Sequence, residues 1–432
     1  VNAIRVLAAD MVQKAKSGHP GMPLGAAPTA YELWAHHMNH NPKNPNWENR
    51  DRFVLSSGHA SAMLYSLLHF FGYGLTLDDM KNFRQDGSLT PGHPEYGWTA
   101  GVEATTGPLG AGMAMAVGMA MAEAHLAAKF NNPDFPIVDH YTFVMCGDGC
   151  LMEGISSESL SLAGTLGLGK LIVLYDSNRI TIEGTTDLAF TEDVAARVAA
   201  FGFQTLTVED GNNIEEIGKA IAAAKAETSK PSFITIKTHI GYGSAKQDSA
   251  SSHGEPLGEE NVIGLKKNLG WDKPEETFYI PADVYEHYSK LAAQGATAEY
   301  LCQKIVQGVQ IQQHASSFVL GDHGGGGAAH VQIALPIAHV CQESGKAQKG
   351  FRAVAQDLGH GQRIPVVLRQ QIRQGGALDL SAAIRRQKGS VVAVNAGETG
   401  RVGVSIDPGG NALHGGEGQV HDALLPALVW RS

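Results

Sequence analysis

The stretch Val144-Met-Cys-Gly-Asp-Gly-Cys-Leu-Met-Glu-Gly154 decides the fold. It continues the apolar, β-rich run 141–146. An apolar run ending in Gly-Asp-Gly reads as a buried strand breaking into a tight turn at its carboxyl end, where open parallel sheets hold their ligands. Gly147 and Gly149 allow backbone N–H groups to approach an anion closely. Asp148 is a hard oxygen ligand. A second segment, Tyr175-Asp-Ser-Asn-Arg-Ile-Thr181, follows the apolar run 170–174, and its Asn178 offers a neutral amide oxygen. About thirty residues separate Asp148 from Asn178, the spacing of one βαβ unit. A carboxylate, an amide oxygen, a main-chain carbonyl and diphosphate oxygens together would make an octahedral Mg²⁺ site.

Working outward, the chain has 432 residues and a net charge of −10. That length allows two or more domains and a sizeable core. The acidic balance argues against nucleic acid or an anionic membrane as partner. Cys146, Cys150, Cys302 and Cys341 are too few and too scattered for a disulfide scaffold. Cys146 and Cys150 flank the Gly-Asp-Gly turn and read as buried thiols rather than a zinc pair, which fits a reducing cytoplasm. The apolar run 107–122 is mostly Gly, Ala and Met between Glu103 and Glu123, and reads as a core helix rather than a membrane span.

Residues 1–16 place Ile4, Leu7, Ala8, Met11 and Val12 on one helical face. Lys16-Ser-Gly-His-Pro-Gly-Met-Pro-Leu-Gly25 then sets His19 on a rigid loop, with helix expected again over 26–38. Arg52-Phe-Val-Leu-Ser-Ser-Gly-His-Ala-Ser61 reads as strand, turn and helix start, with His59 where exposed N–H groups favour an anion. Thr90-Pro-Gly-His-Pro-Glu95 locks His93 between Gly and Pro. Thr105-Thr-Gly-Pro-Leu-Gly110 opens the Gly/Ala/Met helix and can bring main chain against a ring or phosphate, or act as a plain cap. Glu153 lies just past the central turn. Further helices are expected over 191–202 and 213–228, and strands over 204–208 and 231–238. His253 stands in a last glycine-rich loop, Ser251-Ser-His-Gly-Glu-Pro-Leu-Gly258. Each of these histidines alone reads as an ordinary turn residue; four of them beside glycines form a pattern. Strands alternating with helices imply an α/β fold, a doubly wound parallel sheet with helices on both faces.

In this order, Ser-Gly-His-Pro-Gly, Ser-Gly-His, Thr-Pro-Gly-His-Pro-Glu, Gly-Pro-Leu-Gly, Gly-Asp-Gly-Cys-Leu-Met-Glu-Gly, Asp-Ser-Asn-Arg-Ile and Ser-His-Gly-Glu-Pro-Leu-Gly resemble the transketolase family over residues 1–300. The resemblance implies its thiamine-diphosphate-binding fold and its reaction, transfer of a two-carbon ketol unit between sugar phosphates in the pentose phosphate pathway. It implies that Asp148, Asn178 and the Ile180 carbonyl bind Mg²⁺, with Ca²⁺ or another divalent ion as substitutes. It assigns thiamine diphosphate contacts to His59, Gly107, Pro108, Leu109, Gly149, Asn178 and His253. Glu153 supports the subunit contact beside the cofactor. His19, His93 and His253 face the sugar as catalytic residues, neutral near pH 7 and able to exchange protons with hydroxyl and carbonyl oxygens. The thiazolium is the electron sink for C2–C3 cleavage, and Mg²⁺ anchors the diphosphate.

Two departures stand out. Ala250-Ser251-Ser252 replaces a segment that often carries a further histidine in the family. No pyrimidine-binding middle domain follows, so a homodimer, or a partner subunit carrying that domain, is expected to complete the site. The other readings are a module that binds Mg²⁺ and thiamine diphosphate without turnover, and a nicotinamide dehydrogenase. The latter lacks Gly-x-Gly-x-x-Gly after the first strand. Related enzymes acting on pyruvate or formaldehyde share the metal motif but not the histidine set.

Residues 301–432 read differently. Tyr300 is the last tyrosine, and Gly, Gln, His and Arg take over, as in Gly324-Gly-Gly-Gly327. Few large apolar side chains are left to offset ordering entropy, so a poorly ordered tail with at most marginal strands is expected. The abrupt change suggests translation out of frame. His414, His421 and the glycine run lack the strand–turn–helix setting of a ligand site.

Overall fold

The structure, a computed structural model, describes residues 1–132 and 136–315 and seven further strands between 319 and 407, with side chains described to residue 303. Two units divide the chain, Val1–Val306 and Gln307–Ser432.

The first unit is built on a sheet of five parallel strands. They are β1 (Arg52–Leu55), β2 (Thr142–Gly147), β3 (Leu171–Ser177), β6 (Gln204–Val208) and β7 (Ser232–Lys237), in the order β1-β2-β3-β7-β6. A hairpin of β4 (Ile180–Thr181) and β5 (Gly184–Thr185) stands beside it. Strand residues alternate between two cores. Phe53, Phe143, Met145, Ile172, Leu174 and Ile234 enter one; Val54, Val144, Cys146, Val173, Tyr175 and Phe233 enter the other. Both faces of the sheet are therefore covered, which is why its central strands β2 and β3 are largely apolar, while the edge strand β6 is half exposed. Each such side chain, taken fully out of water, contributes about 1.5–3 kcal/mol.

The first core is roofed by α1 (Asn2–Ala15), α2 (Gly21–Glu32), α3 (Ser61–Phe71) and α4 (Leu77–Lys81). Helix α2 starts at Gly21, five residues before the expected 26. Pro23 falls in its first turn, where the missing N–H would have had no partner in any case. Pro28 lies inside the helix and cannot donate to the Leu24 carbonyl. The buried Arg5 replaces that donor, its Nε lying 2.7 Å from Leu24 O. A π turn, Leu33–His37, ends the helix. Thr76 and Asp79 form a capping box at the start of α4.

The second core lies under α5 (Ala111–Phe130), α6 (Asp148–Met152), α7 (Gly154–Leu166) and α8 (Val194–Ala200). Helix α5 is not the wholly packed core helix its composition suggested. Gly112, Met113, Ala116, Val117, Ala120 and Glu123 are buried, but Met115, Met121, Leu126 and Phe130 are exposed. Among the described residues it alone is long and apolar enough to cross a membrane. Its small residues allow close packing: a Cβ on Gly112 would lie 2.6 Å from Ser56 Cα of the loop after β1. Further on come α9 (Ile214–Ala226), capped by Asn213, then α10 (Glu259–Asn268) and α11 (Ala282–Ala315).

Beyond α11 the strands are β8 (Val319–Leu320), β9 (Ala329–Ala334), β10 (Phe351–Asp357), β11 (Arg363–Ile372), β12 (Leu378–Arg385), β13 (Val391–Ala396) and β14 (Val402–Asp407). They pair in chain order as an antiparallel meander. The apolar patches 366–368 and 391–394 fall on β11 and β13. Residues 324–327, His414 and His421 lie outside the described residues.

Candidate functional site

The carboxyl ends of neighbouring strands open into one cleft of about 390 Å³. Strand β2 delivers Gly147, Asp148 and Gly149; β3 delivers Asp176 and Asn178, followed by Ile180; the loop after β1 delivers Ser57 and His59. His19, His93, Gly107, Leu109, Glu153 and His253 complete the set of expected residues in its wall. Pro108, between Gly107 and Leu109, is exposed and does not line it. The expected turn at Gly147-Asp-Gly149 is instead a strand passing directly into helix α6, whose first residue is Asp148.

Asp148 is buried. Tyr175 donates its hydroxyl to Oδ1 at 2.5 Å, and the Arg179 backbone N–H donates to Oδ2 at 3.2 Å. Burial raises the Asp148 carboxyl above its ordinary range, and those donors oppose the rise. Asp176 is buried beside it and is pushed up to about 7 by burial, against hydrogen bonds from Thr238 and Asn178. Among the described residues no basic side chain acts on either carboxylate. Buried carboxylates without a cation are costly, and a divalent ion would relieve that cost. Asn178 is pinned at both ends of its amide: Nδ2 donates to Asp176 Oδ2 at 2.7 Å, and Oδ1 accepts from Ile180 N–H at 3.0 Å. Among the described residues no three His, Cys, Asp or Glu side chains converge on a metal-sized site. A cation held here would take Asp148, the Asn178 amide oxygen, a backbone carbonyl and oxygens of its ligand. That donor set is hard and oxygen-only, which fits Mg²⁺ or Ca²⁺.

Opposite stand the histidines. The rings of His19 and His59 are 4.9 Å apart, those of His59 and His253 5.1 Å, and those of His19 and His253 5.7 Å. Burial lowers all three, with His93 as well; His19 falls to about 4, helped by the neighbouring His253, Arg84 and His93. The imidazoles are thus neutral at neutral pH. The Nδ1 atoms of His19 and His253 are buried without a hydrogen-bond partner in the protein. Gly107, at φ 150°, lies against His93, and a Cβ there would come within 3.3 Å of the ring. A Cβ on Gly149 would lie 2.9 Å from Leu109 Cδ1, so Leu109 packs directly against the Gly149 backbone.

Residues 1–317 match the family model described as "Transketolase, thiamine diphosphate binding domain". The chain belongs to that family. The match extends past residue 300 and covers the whole of α11. A transketolase of Streptococcus pyogenes is 60% identical over 301 residues, covering 69% of this chain and 41% of that protein. One from Geobacillus stearothermophilus is 60% identical over 289 residues, covering 67% and 43%. Among solved structures, a Pichia stipitis transketolase in complex with sedoheptulose-7-phosphate superposes with a TM-score of 0.69 at 49% identity, covering 70% of this chain and 45% of that one. The chain therefore spans less than half the length of each of these transketolases.

Sequence reading did not single out Tyr175, Ser57, Asp176 or Thr238. Tyr175 and Asp176 stand inside the quoted motif, but a string cannot say which of its polar residues turns inward. Cys146 and Cys150 are buried free thiols, with Cys150 Sγ 3.4 Å from Ser56 Oγ and 3.5 Å from Ser57 Oγ.

Proposed function

We propose that this chain carries the diphosphate-binding half of a transketolase active site, transferring a two-carbon ketol unit between sugar phosphates when completed. The observation that carries the reading is the meeting, in one cleft, of cation-free buried carboxylates with neutral histidines. In this reading Asp148, Asn178 and the Ile180 carbonyl hold Mg²⁺ or a similar divalent ion. His59, Gly107, Leu109, Gly149 and Asn178 hold thiamine diphosphate, with Pro108 shaping the loop between its neighbours. Bound thiamine diphosphate supplies the electron sink that cleavage of a ketose C2–C3 bond requires. The histidines do the proton work. A neutral imidazole can accept the hydroxyl proton released as the bond breaks, and a ring N–H can donate to the sugar carbonyl oxygen. His19 and His253, with open Nδ1 positions, and His93 take these roles.

Completion needs a partner, either a second copy or a chain carrying the pyrimidine-binding domain. Three features support this: the cleft opens beside the exposed Glu153, the outer faces of α5 and α7 expose Met115, Met121, Ile155, Leu162 and Leu166, and the matched segment makes up only 41% and 43% of two related transketolases. A cytoplasmic setting suits buried free thiols. For residues beyond α11 the out-of-frame reading stands as a proposal; if no other frame of the encoding DNA continues the family pattern, it fails.

Thiamine diphosphate titrated with and without Mg²⁺ onto the purified chain tests the site. A Mg²⁺-dependent binding signal is expected, weakened at least tenfold by Asp148→Asn. Binding without Mg²⁺ dependence would refute the ion site. Turnover by the isolated chain would refute the need for a partner; its absence, with binding intact, favours a binding module that is silent alone.

A further inference from the structure

Asp176 is the odd residue of the cleft. It is a buried carboxylate with no basic side chain acting on it among the described residues, and the expected ligand set does not use it. Its two oxygens are nonetheless fully engaged. Oδ1 accepts from the Thr238 hydroxyl at the end of β7, and Oδ2 accepts from Asn178 Nδ2 at 2.7 Å. The contact spans two positions along the β3 terminus, and Thr238 ties it to the adjacent strand.

The chemistry of asparagine gives this a purpose. Its amide has two ends of nearly equal size, one an acceptor and the other a double donor. Turned the wrong way, Asn178 would aim N–H groups at a cation. The Ile180 N–H favours the correct end by donating to Oδ1, which keeps a second lone pair free. An ionised carboxylate can only accept, so in that form Asp176 allows just the Nδ2 end to face it. Resting on the ion site proposed above, we infer that Asp176, held by Thr238, is a positioning residue that fixes the amide of Asn178 with its oxygen toward the divalent ion. Outer groups that orient a metal ligand typically change affinity by about 10–100-fold when removed.

The test is a double-mutant cycle read by Mn²⁺ binding, followed by electron paramagnetic resonance in the presence of thiamine diphosphate, on the full chain. Asp176→Asn can face either end of the amide, so Mn²⁺ affinity should fall about tenfold. In an Asn178→Asp background both ends of residue 178 are oxygens, and orientation no longer matters. There Asp176→Asn should cost nothing, or help by removing a like charge. A loss of equal size in both backgrounds would show that Asp176 acts through folding or bulk charge, and would overturn the inference; so would no loss in either. If the unaltered chain binds no Mn²⁺, the ion site itself is wrong and this inference falls with it, a result distinct from a failed cycle. Should Asp176→Asn not fold by circular dichroism, Thr238→Val in the same two backgrounds repeats the test: a severalfold loss confined to the Asn178 background supports the inference, and equal effects overturn it.

Discussion

The wall of the cleft and the core beneath α1–α3 bury the same kinds of residue in opposite ways. In the core the buried ionisable groups are paired. Asp10 lies 2.8 Å from Lys266 Nζ, both side chains 1% exposed, and its other oxygen takes the Phe278 N–H at 2.8 Å. Lys266 also donates to the Glu276 carbonyl at 2.8 Å. His40 is closed likewise: Nε2 donates to Trp34 O at 3.0 Å, and Nδ1 accepts from the Tyr73 hydroxyl at 2.9 Å. In the cleft, Asp148 and Asp176 have no basic side chain acting on them among the described residues, and His19 and His253 each keep a ring nitrogen without a partner there. Burial alone therefore does not mark function; ionisable groups buried together in one cleft without an ion partner do.

Breaking the closed side should cost most. Lys266→Met leaves Asp10 buried without its ion partner and should lower unfolding free energy by about 3–5 kcal/mol in urea titrations. Adding Asp10→Asn should recover part of that. His40 comes next. Burial lowers it to about 4 in the folded state, against an ordinary 6.5. Its stabilising contribution is thus complete above pH 6.5 and is lost as pH falls through 4, by about 3 kcal/mol. Urea midpoints measured from pH 7 to 4 should show that slope, reduced in His40→Gln. Protonation is resisted because the ring would have to donate at both nitrogens, turning the Tyr73 hydroxyl around. The smallest effect belongs to the open side. Asp148→Asn, without ligands, should change stability by less than about 1 kcal/mol and in the favourable direction, because it removes a charge with no cation beside it. A large loss there would erase the contrast between the two regions.

The strands were readable because both of their faces are buried, which leaves unbroken apolar runs such as Phe143 to Cys146. The cleft was readable in outline because glycine beside each histidine marks backbone that must come close. Other parts were harder. Helix α2 was placed late because Pro20 and Pro23 look like breakers, whereas at a helix start they break nothing. Helix α5 was read as core because Gly, Ala and Met are small and apolar on every side; which side stays exposed depends on what packs there. Helix α10 carries Glu259, Glu260, Lys266 and Lys267 and shows little apolar stripe; its Lys266 is buried only because Asp10 waits for it. Helix α11 runs straight through the compositional break near Tyr300. Asp176 was passed over because its task is visible only once Thr238 arrives from another strand.

The bond from Arg5 to Leu24 ties two distant positions in the chain's history. Proline at 28 deletes an amide donor, and a guanidinium nineteen positions from the orphaned carbonyl makes good the loss. A descendant that exchanged Pro28 for an ordinary residue would regain the donor and leave a buried positive group with less to do. Sites 5 and 28 should therefore drift as a pair across lineages, although neither touches the cleft.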